Sequence, residues 1–276
     1  MRRLTPSSFD PFTVFREVVN AKQPGPRRDR LSQRFGVVRG YYKDFDASKR
    51  RLEHIKSHRY KAHQKEDLEY CYTIRTKPLD RLLSDIKSKL PAIIIDKCQY
   101  CNIDNPKTFD HYLSKKRFPE YAIHALNLFP CCHPCNQIKS EAFLDALGNR
   151  RVLNFYFDAI PKRQFLNVRI SYDAHGDPLA SYNLARPPWL RRTIFKLVES
   201  HFEVLDLLNR YRESSHAVFS ETVNTMQELS WDAPRVQELL RGQAATLTRD
   251  ISPNYWRAVL YQAMADDLRF IALCTL

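Results

Sequence analysis

Two CxxC pairs constrain this chain more than any other feature. Cys98-Gln-Tyr-Cys101 and Cys132-His-Pro-Cys135 stand 30 residues apart. Four thiolates satisfy a tetrahedral Zn²⁺ completely, so two such pairs in a reducing compartment point to one structural zinc site. With each sulfur about 2.3 Å from the metal, the spacer has to leave and return, most simply as a hairpin. Cys131 would spoil the CxxC spacing and His133 lies inside the turn between two ligands, so both are second choices as ligands. Cys71, Cys131 and Cys274 are left over, an odd number at unrelated positions. That pattern argues against a disulfide framework and places the expected compartment in the cytoplasm.

The 276 residues suit one large domain or two to three small ones, and a hydrophobic fraction of 43% supports a real core. No apolar run approaches the ~18 residues a membrane span needs. The opening MRRLTPSSFDPF has two arginines but no apolar stretch after them, unlike a secretory signal. A net charge of +13 and a pI near 9.5 fit a polyanionic partner, nucleic acid being the commonest. Generic solubility is the plainer explanation of the same charge.

Along the chain, FDPFTVFREVVN suits a short helix and KQPGPRRDR a turn-rich arginine cluster. Residues 46–66 read as a basic helix. Leu79, Leu82, Leu83, Ile86 and Leu90 follow helical spacing up to Pro91. AIII then suits a short strand leading into Cys98. A helix opening near Asn136 is expected to run through EAFLDAL to Gly148, a glycine placed as a C′ residue. RQFLNVRISYD and LASYNL flank AHGDP in a hairpin pattern. From Pro187 onward the chain reads as helical, with WLRRTIFKLVESHFEVLDLLNRY followed by two helices capped near Asp232 and Ser252.

The spacer carries Asp110, His111 and Asn127, and Asn136 and Lys139 follow the second pair. An Asp supplies a hard oxygen for Mg²⁺, and a neutral His beside it can take a proton from water near pH 7. Neighbours in a regular strand face opposite ways, so for both to serve one site they must lie at a strand end. An Asn136 oxygen can complete a metal's coordination, and Lys139 on the same helix face can hold a phosphate. Taken singly, Asn136 is as well explained by an N-cap, Lys139 by solvent exposure and Asn127 by a turn. The sharper reading of Asn127 is a brace that orients the His111 loop.

The order CxxC, Asp110-His111, Asn127-Leu128, then Cys132-His-Pro-Cys135-Asn136-Gln-Ile-Lys139 resembles the HNH endonucleases of the ββα-metal fold. The resemblance implies that Asp110 and Asn136 ligate a catalytic Mg²⁺ or Mn²⁺ and that His111 is the general base. It further implies that Asn127 holds the base loop, that Lys139 contacts the substrate phosphate, and that Cys98, Cys101, Cys132 and Cys135 bind structural zinc. Asn136 stands where many members have a third His, and Ser114 stands where DHxxP is frequent. The stretch DHYLSKKRFPEYAIHALNLFPCCHPCNQIKS with VLNFYFDAI is also similar to HNH subunits of Septu-type and retron-linked anti-phage systems, which act with an ABC/SMC-like ATPase partner.

These readings give an α+β, mostly α chain. Residues 1–90 form a basic, largely helical region, 91–150 a zinc-stapled ββα-metal module, and 151–276 a β-hairpin followed by helices. The implied activity is hydrolysis of DNA phosphodiester bonds with one divalent ion. The rival is a non-catalytic zinc module that binds nucleic acid, or an interaction subunit whose nuclease is silent until a partner docks. RNA is the lesser alternative as substrate, since no RNP-like aromatic motif is present.

Overall fold

The computed structural model describes residues 2–275. The chain divides into two compact units. One comprises residues 3–99 and 104–158, the other residues 1–2, 100–103 and 159–276. Among the described residues the architecture is α+β, helix-rich, with two separate two-stranded antiparallel sheets.

The first unit opens on α1 (Pro11–Asn20), whose start is set by Asp10. Its carboxylate accepts from the Thr13 amide at 2.7 Å, and Pro11 occupies a first-turn position where no amide proton is needed. Val14, Phe15, Val18 and Val19 give α1 a buried stripe. The arginine cluster expected as a turn is instead α2 (Pro26–Gln33), entered through Gly25 at φ +144°. That left-handed backbone is open to glycine. α3 (Phe35–Ser48) follows and buries Val38, Tyr42 and Phe45.

The helix expected over 46–66 does not form. The chain leaves α3 at Ser48, makes one 3-10 turn at Leu52–His54, and becomes helical again only at α4 (Ala62–Thr73). Leu52 is the one fully buried apolar residue in that basic stretch, too little burial to hold a continuous helix. At the other end of α4, buried Lys22 donates to the carbonyls of Tyr70 (3.0 Å), Cys71 (3.4 Å) and Ile74. A cation on the last carbonyls of a helix satisfies acceptors that have no partner within it.

α5 (Lys77–Ser88) buries Leu79, Leu82, Leu83 and Ile86, the spacing the sequence shows, and packs on α1. AIII is not a strand but a 3-10 turn at Ala92–Ile94, with Ile94 buried and Ile93 and Ile95 exposed. The amides of Ile94 and Ile95 bond back to Pro91 and Ala92 rather than across to a neighbour.

Next come β1 (Thr108–His111) and β2 (Leu128–Cys131), antiparallel in the register Asp110↔Phe129 and His111↔Leu128. The short helix α6 (His133–Lys139) follows directly and packs on β1. It does not run on to Gly148. Ser140 takes φ +45°, and residues 141–150 form turns in which Asp145 Oδ1 accepts from the amides of Leu147 and Asn149. The early stop buries Phe143 against Tyr112 and Phe118, at ring-centroid distances of 5.4 and 6.3 Å.

In the second unit, β3 (Leu166–Tyr172) and β4 (Pro178–Leu184) form the hairpin the alternation implies. Asp173 Oδ1 closes its turn by accepting from His175 and Asp177. The helical stretch expected from Trp189 to Tyr211 is broken. α7 (Arg192–Val204) ends at Leu205, Asp206 adopts φ +50°, and α8 (Leu207–Leu229) begins afresh. α9 (Ala233–Asp250) is capped by Asp232, as its sequence suggests. Ser252 caps no helix, because α10 (Trp256–Asp266) starts only after Tyr255, and α11 (Leu268–Thr275) completes the described chain. α8 packs on β4 and α10 on β3, with Tyr211 stacked on Trp256 at 5.9 Å between ring centroids. No helix among the described residues is long and apolar enough to cross a membrane.

Candidate metal centre and adjoining cleft

Each CxxC folds as a tight knuckle because backbone amides turn toward its sulfurs. The Cys135 amide donates to Cys132 Sγ at 3.5 Å and the Ile103 amide to Cys101 Sγ at 3.4 Å. Asn102 completes the first knuckle at φ +55°, a conformation asparagine tolerates better than most residues. The ligand atoms of Cys98, Cys101, Cys132 and Cys135 all lie within 4.8 Å of one another, and all four residues are buried. Four sulfurs converging in a buried site are the donor set a structural zinc takes. Cys131 and His133 are not part of the cluster.

Beside these knuckles, β1, the loop after it, α6 and Tyr72 of α4 shape a polar cleft of about 280 Å³. Asp110, His111 and Asn136 all line it, together with Tyr72, Lys115 and Glu141. Asp110 and His111 can share the cleft because His111 is the last residue of β1, where strict alternation ends. Asn136, half-buried on α6, donates from Nδ2 to Thr108 Oγ1 at 3.4 Å, so its amide oxygen remains the acceptor.

His111 Nε2 lies 2.8 Å from the Ala122 carbonyl. A carbonyl only accepts, so Nε2 carries the proton and Nδ1 the lone pair. Burial first, then the Lys115 ammonium, push His111 down to about 3, against the steadying hydrogen bond to Ala122. The imidazole is therefore neutral across the physiological range. Tyr72 meets it edge-on at 4.4 Å between ring centroids.

Asn127 is fully buried and clamps the chain after the histidine. Its Oδ1 accepts from the Leu113 amide at 2.7 Å, while Nδ2 donates to the carbonyls of Leu113 and Tyr121, both at 3.0 Å. Its own carbonyl accepts from Tyr112. A buried amide with every donor and acceptor engaged fixes the loop it touches.

Lys139 stands apart from the solvent-facing or phosphate-facing position its sequence context suggests. Its side chain is 1% exposed, and Nζ lies 2.8 Å from Asp110 Oδ2 and 2.9 Å from the His111 carbonyl. It anchors β1 to α6 from inside. Asp110 and Asn136 offer hard oxygens of the kind Mg²⁺ takes, so the donor chemistry fits such an ion. The Lys139 ammonium is a competing cation on the same carboxylate.

Tyr72, Lys115, Lys116 and Glu141 line the cleft without having been singled out in the sequence. The run Ser114-Lys115-Lys116-Arg117, two residues beyond Asp-His, is a usable signal for the two lysines, whereas Tyr72 reaches the site from α4 and carries no local signature. Lys115 Nζ lies 5.0 Å from the Tyr72 ring centroid, and Lys116 pairs with Glu141 at 3.5 Å.

Fold and site thus define a helix-rich α+β chain with a four-thiolate centre compatible with zinc and a neighbouring polar cleft. Among known proteins, Protein ea31 of Escherichia phage lambda is 27% identical over 190 residues, a match covering 63% of this chain and 63% of the phage protein. No protein-family model matches the chain, and no solved structure matches it significantly.

Proposed function

We propose that this chain is a metal-dependent endonuclease of the HNH type, cutting DNA phosphodiester bonds at the cleft beside the cysteine centre. The observation that carries the reading is the sharing of one cleft by Asp110 and His111 of β1 and Asn136 of α6, the helix that directly follows β1's paired strand. His111, pinned through Nε2, presents Nδ1 to take the proton from an attacking water. Asn127 holds the loop behind it, and Lys139 fixes the Asp110 carboxylate and acts as a positioning residue. Lys115 supplies positive charge where the scissile phosphate would lie. A divalent cation held by Asp110 and Asn136 would supply charge neutralisation at the phosphate and the leaving oxygen. The cysteine cluster is assigned to structural zinc. Action within anti-phage defence alongside an ABC/SMC-like ATPase is supported by sequence resemblance, and co-purification with such a partner tests it.

One observation favours the non-catalytic alternative: Asp110 already has a cation, the Lys139 ammonium, 2.8 Å from one of its oxygens. Plasmid nicking with added Mg²⁺ or Mn²⁺ decides between the two. Wild-type protein is expected to cut, and His111→Ala to lose about 10²–10⁴ in rate. Equal cutting by both proteins removes His111 from the chemistry and the endonuclease reading with it.

A further inference from the structure

A second cleft, of about 560 Å³, opens in the same unit between α2, α3 and the start of α4. Its walls carry Arg30, Arg34, Arg59 and His63, with the rings of Tyr41 and Tyr60 between them. Its one carboxylate, Asp67, is already neutralised. Arg30 binds it through Nε and Nη2 at 2.7 and 2.8 Å, and Arg27 through Nε at 3.0 Å. Burial alone would raise Asp67, but the two guanidinium groups hold it low. Among the described residues, Arg34 and Arg59 form no ion pair. The cleft therefore keeps two guanidinium groups uncompensated, the fork that matches phosphate oxygens in pairs.

The aromatic wall has its own geometry. His58, Tyr41 and Tyr60 form a run in which His58 lies on Tyr41 at 4.0 Å between centroids and Tyr60 meets Tyr41 edge-on at 6.4 Å. Tyr60 turns its hydroxyl inward, buried and without a hydrogen-bond partner, while its ring lines the cleft. Flat rings beside unpaired arginines suit a ligand that is planar at one end and anionic at the other. The volume falls within the range of small-ligand sites.

We infer that this cleft binds a nucleotide unit, its phosphate on Arg34 and Arg59 and its base against the tyrosine wall. That unit can be a free nucleotide or one residue of a single strand. α4 links the cleft to the site described above: His63 and Tyr72, which line the two, are nine positions apart, about 14 Å along the helix. The binding chemistry stands without the endonuclease reading.

The test uses the full chain carrying His111→Ala, with no added divalent metal, and measures binding of 5′-AMP and of a fluorescent single-stranded oligo-dT. Both probes, or the oligonucleotide alone, are expected to bind. The double change Arg34→Ala/Arg59→Ala lowers affinity at least tenfold with an unchanged melting temperature. For the strand it also reduces the log–log salt slope by about 0.7, the value for one lost phosphate contact on a single strand. Tyr60→Ala weakens binding about tenfold while Tyr60→Phe does not, which separates stacking from the hydroxyl. Binding of both probes identifies a free nucleotide as sufficient, and binding of the oligonucleotide alone identifies the strand. Failure of both probes at low salt, or unchanged affinity in the arginine double variant, overturns the inference. A wild-type chain that fails to cut plasmid but whose binding depends on Arg34 and Arg59 removes the endonuclease reading and leaves this one standing.

Discussion

At the scale of single residues, two buried charges dominate. Lys139 and Asp110, 1% and 3% exposed, make an ion pair that could not tolerate losing either member alone. Lys139→Met leaves a buried carboxylate without its ammonium and is expected to cost about 3–5 kcal/mol in urea unfolding. Asp110→Asn added to it should recover much of that loss, which distinguishes a stranded charge from lost packing. Glu120 is the opposite case. Both its carboxylate oxygens are buried without a hydrogen-bond partner, and burial pushes the group up to about 7, with a small opposing pull from its own backbone and from the Tyr60 phenol, which is near but not in hydrogen-bond geometry. A folded-state value above the unfolded one means the native state binds the extra proton, so stability falls as pH rises through 4.5 to 7 and is level above. Glu120→Gln should therefore match wild type near pH 4 and exceed it by about 3 kcal/mol at pH 8, read from denaturant midpoints at both pH values. Residues of this kind were only half legible. The Asp-His pair and the four cysteines stand out by order and spacing, but Lys139 is held inward by Asp110 and the His111 carbonyl, 28 or more residues away in sequence, which no local pattern announces.

At the scale of elements, legibility followed burial. α1 and α5 present continuous apolar stripes, and β3 and β4 alternate about a five-residue turn, so spacing alone reveals them. Residues 46–66 failed because charge-rich segments have helical propensity without a face to bury, and tertiary contacts then decide. AIII failed because β-branched residues favour a strand only where an edge is available to pair with, and here the amides turn back on their own segment. α4 depends on a partner outside itself, since its final carbonyls are held by Lys22. Lys22→Met should cost about 2–3 kcal/mol, the worth of charged hydrogen bonds to buried acceptors. Hydrogen exchange should localise the added opening to the carboxy-terminal turn of α4, which carries Tyr72.

At the scale of the whole molecule, the cysteine centre is the least replaceable feature. β1 and β2 pair over four residues each, and a two-stranded pair of that length has little stability of its own. Metal bound to the four sulfurs would contribute folding energy directly, of order 10 kcal/mol in small modules. Purified protein is expected to hold one tightly bound zinc per chain by elemental analysis, and Cys135→Ala to lose both the metal and the cooperative melting transition. A chain melting unchanged without metal would show that packing alone suffices. The order of the four cysteines also has a consequence for biosynthesis. A nascent polypeptide that has emerged only as far as residue 131 carries a single CxxC, so the cluster lacks two of its sulfurs and β1 the packing of α6 until residues 132–139 clear the ribosome. The chain is thus built so that the four-sulfur cluster and the cleft that Asn136 lines are completed late in translation of the first unit, after α1 to α5 have been made.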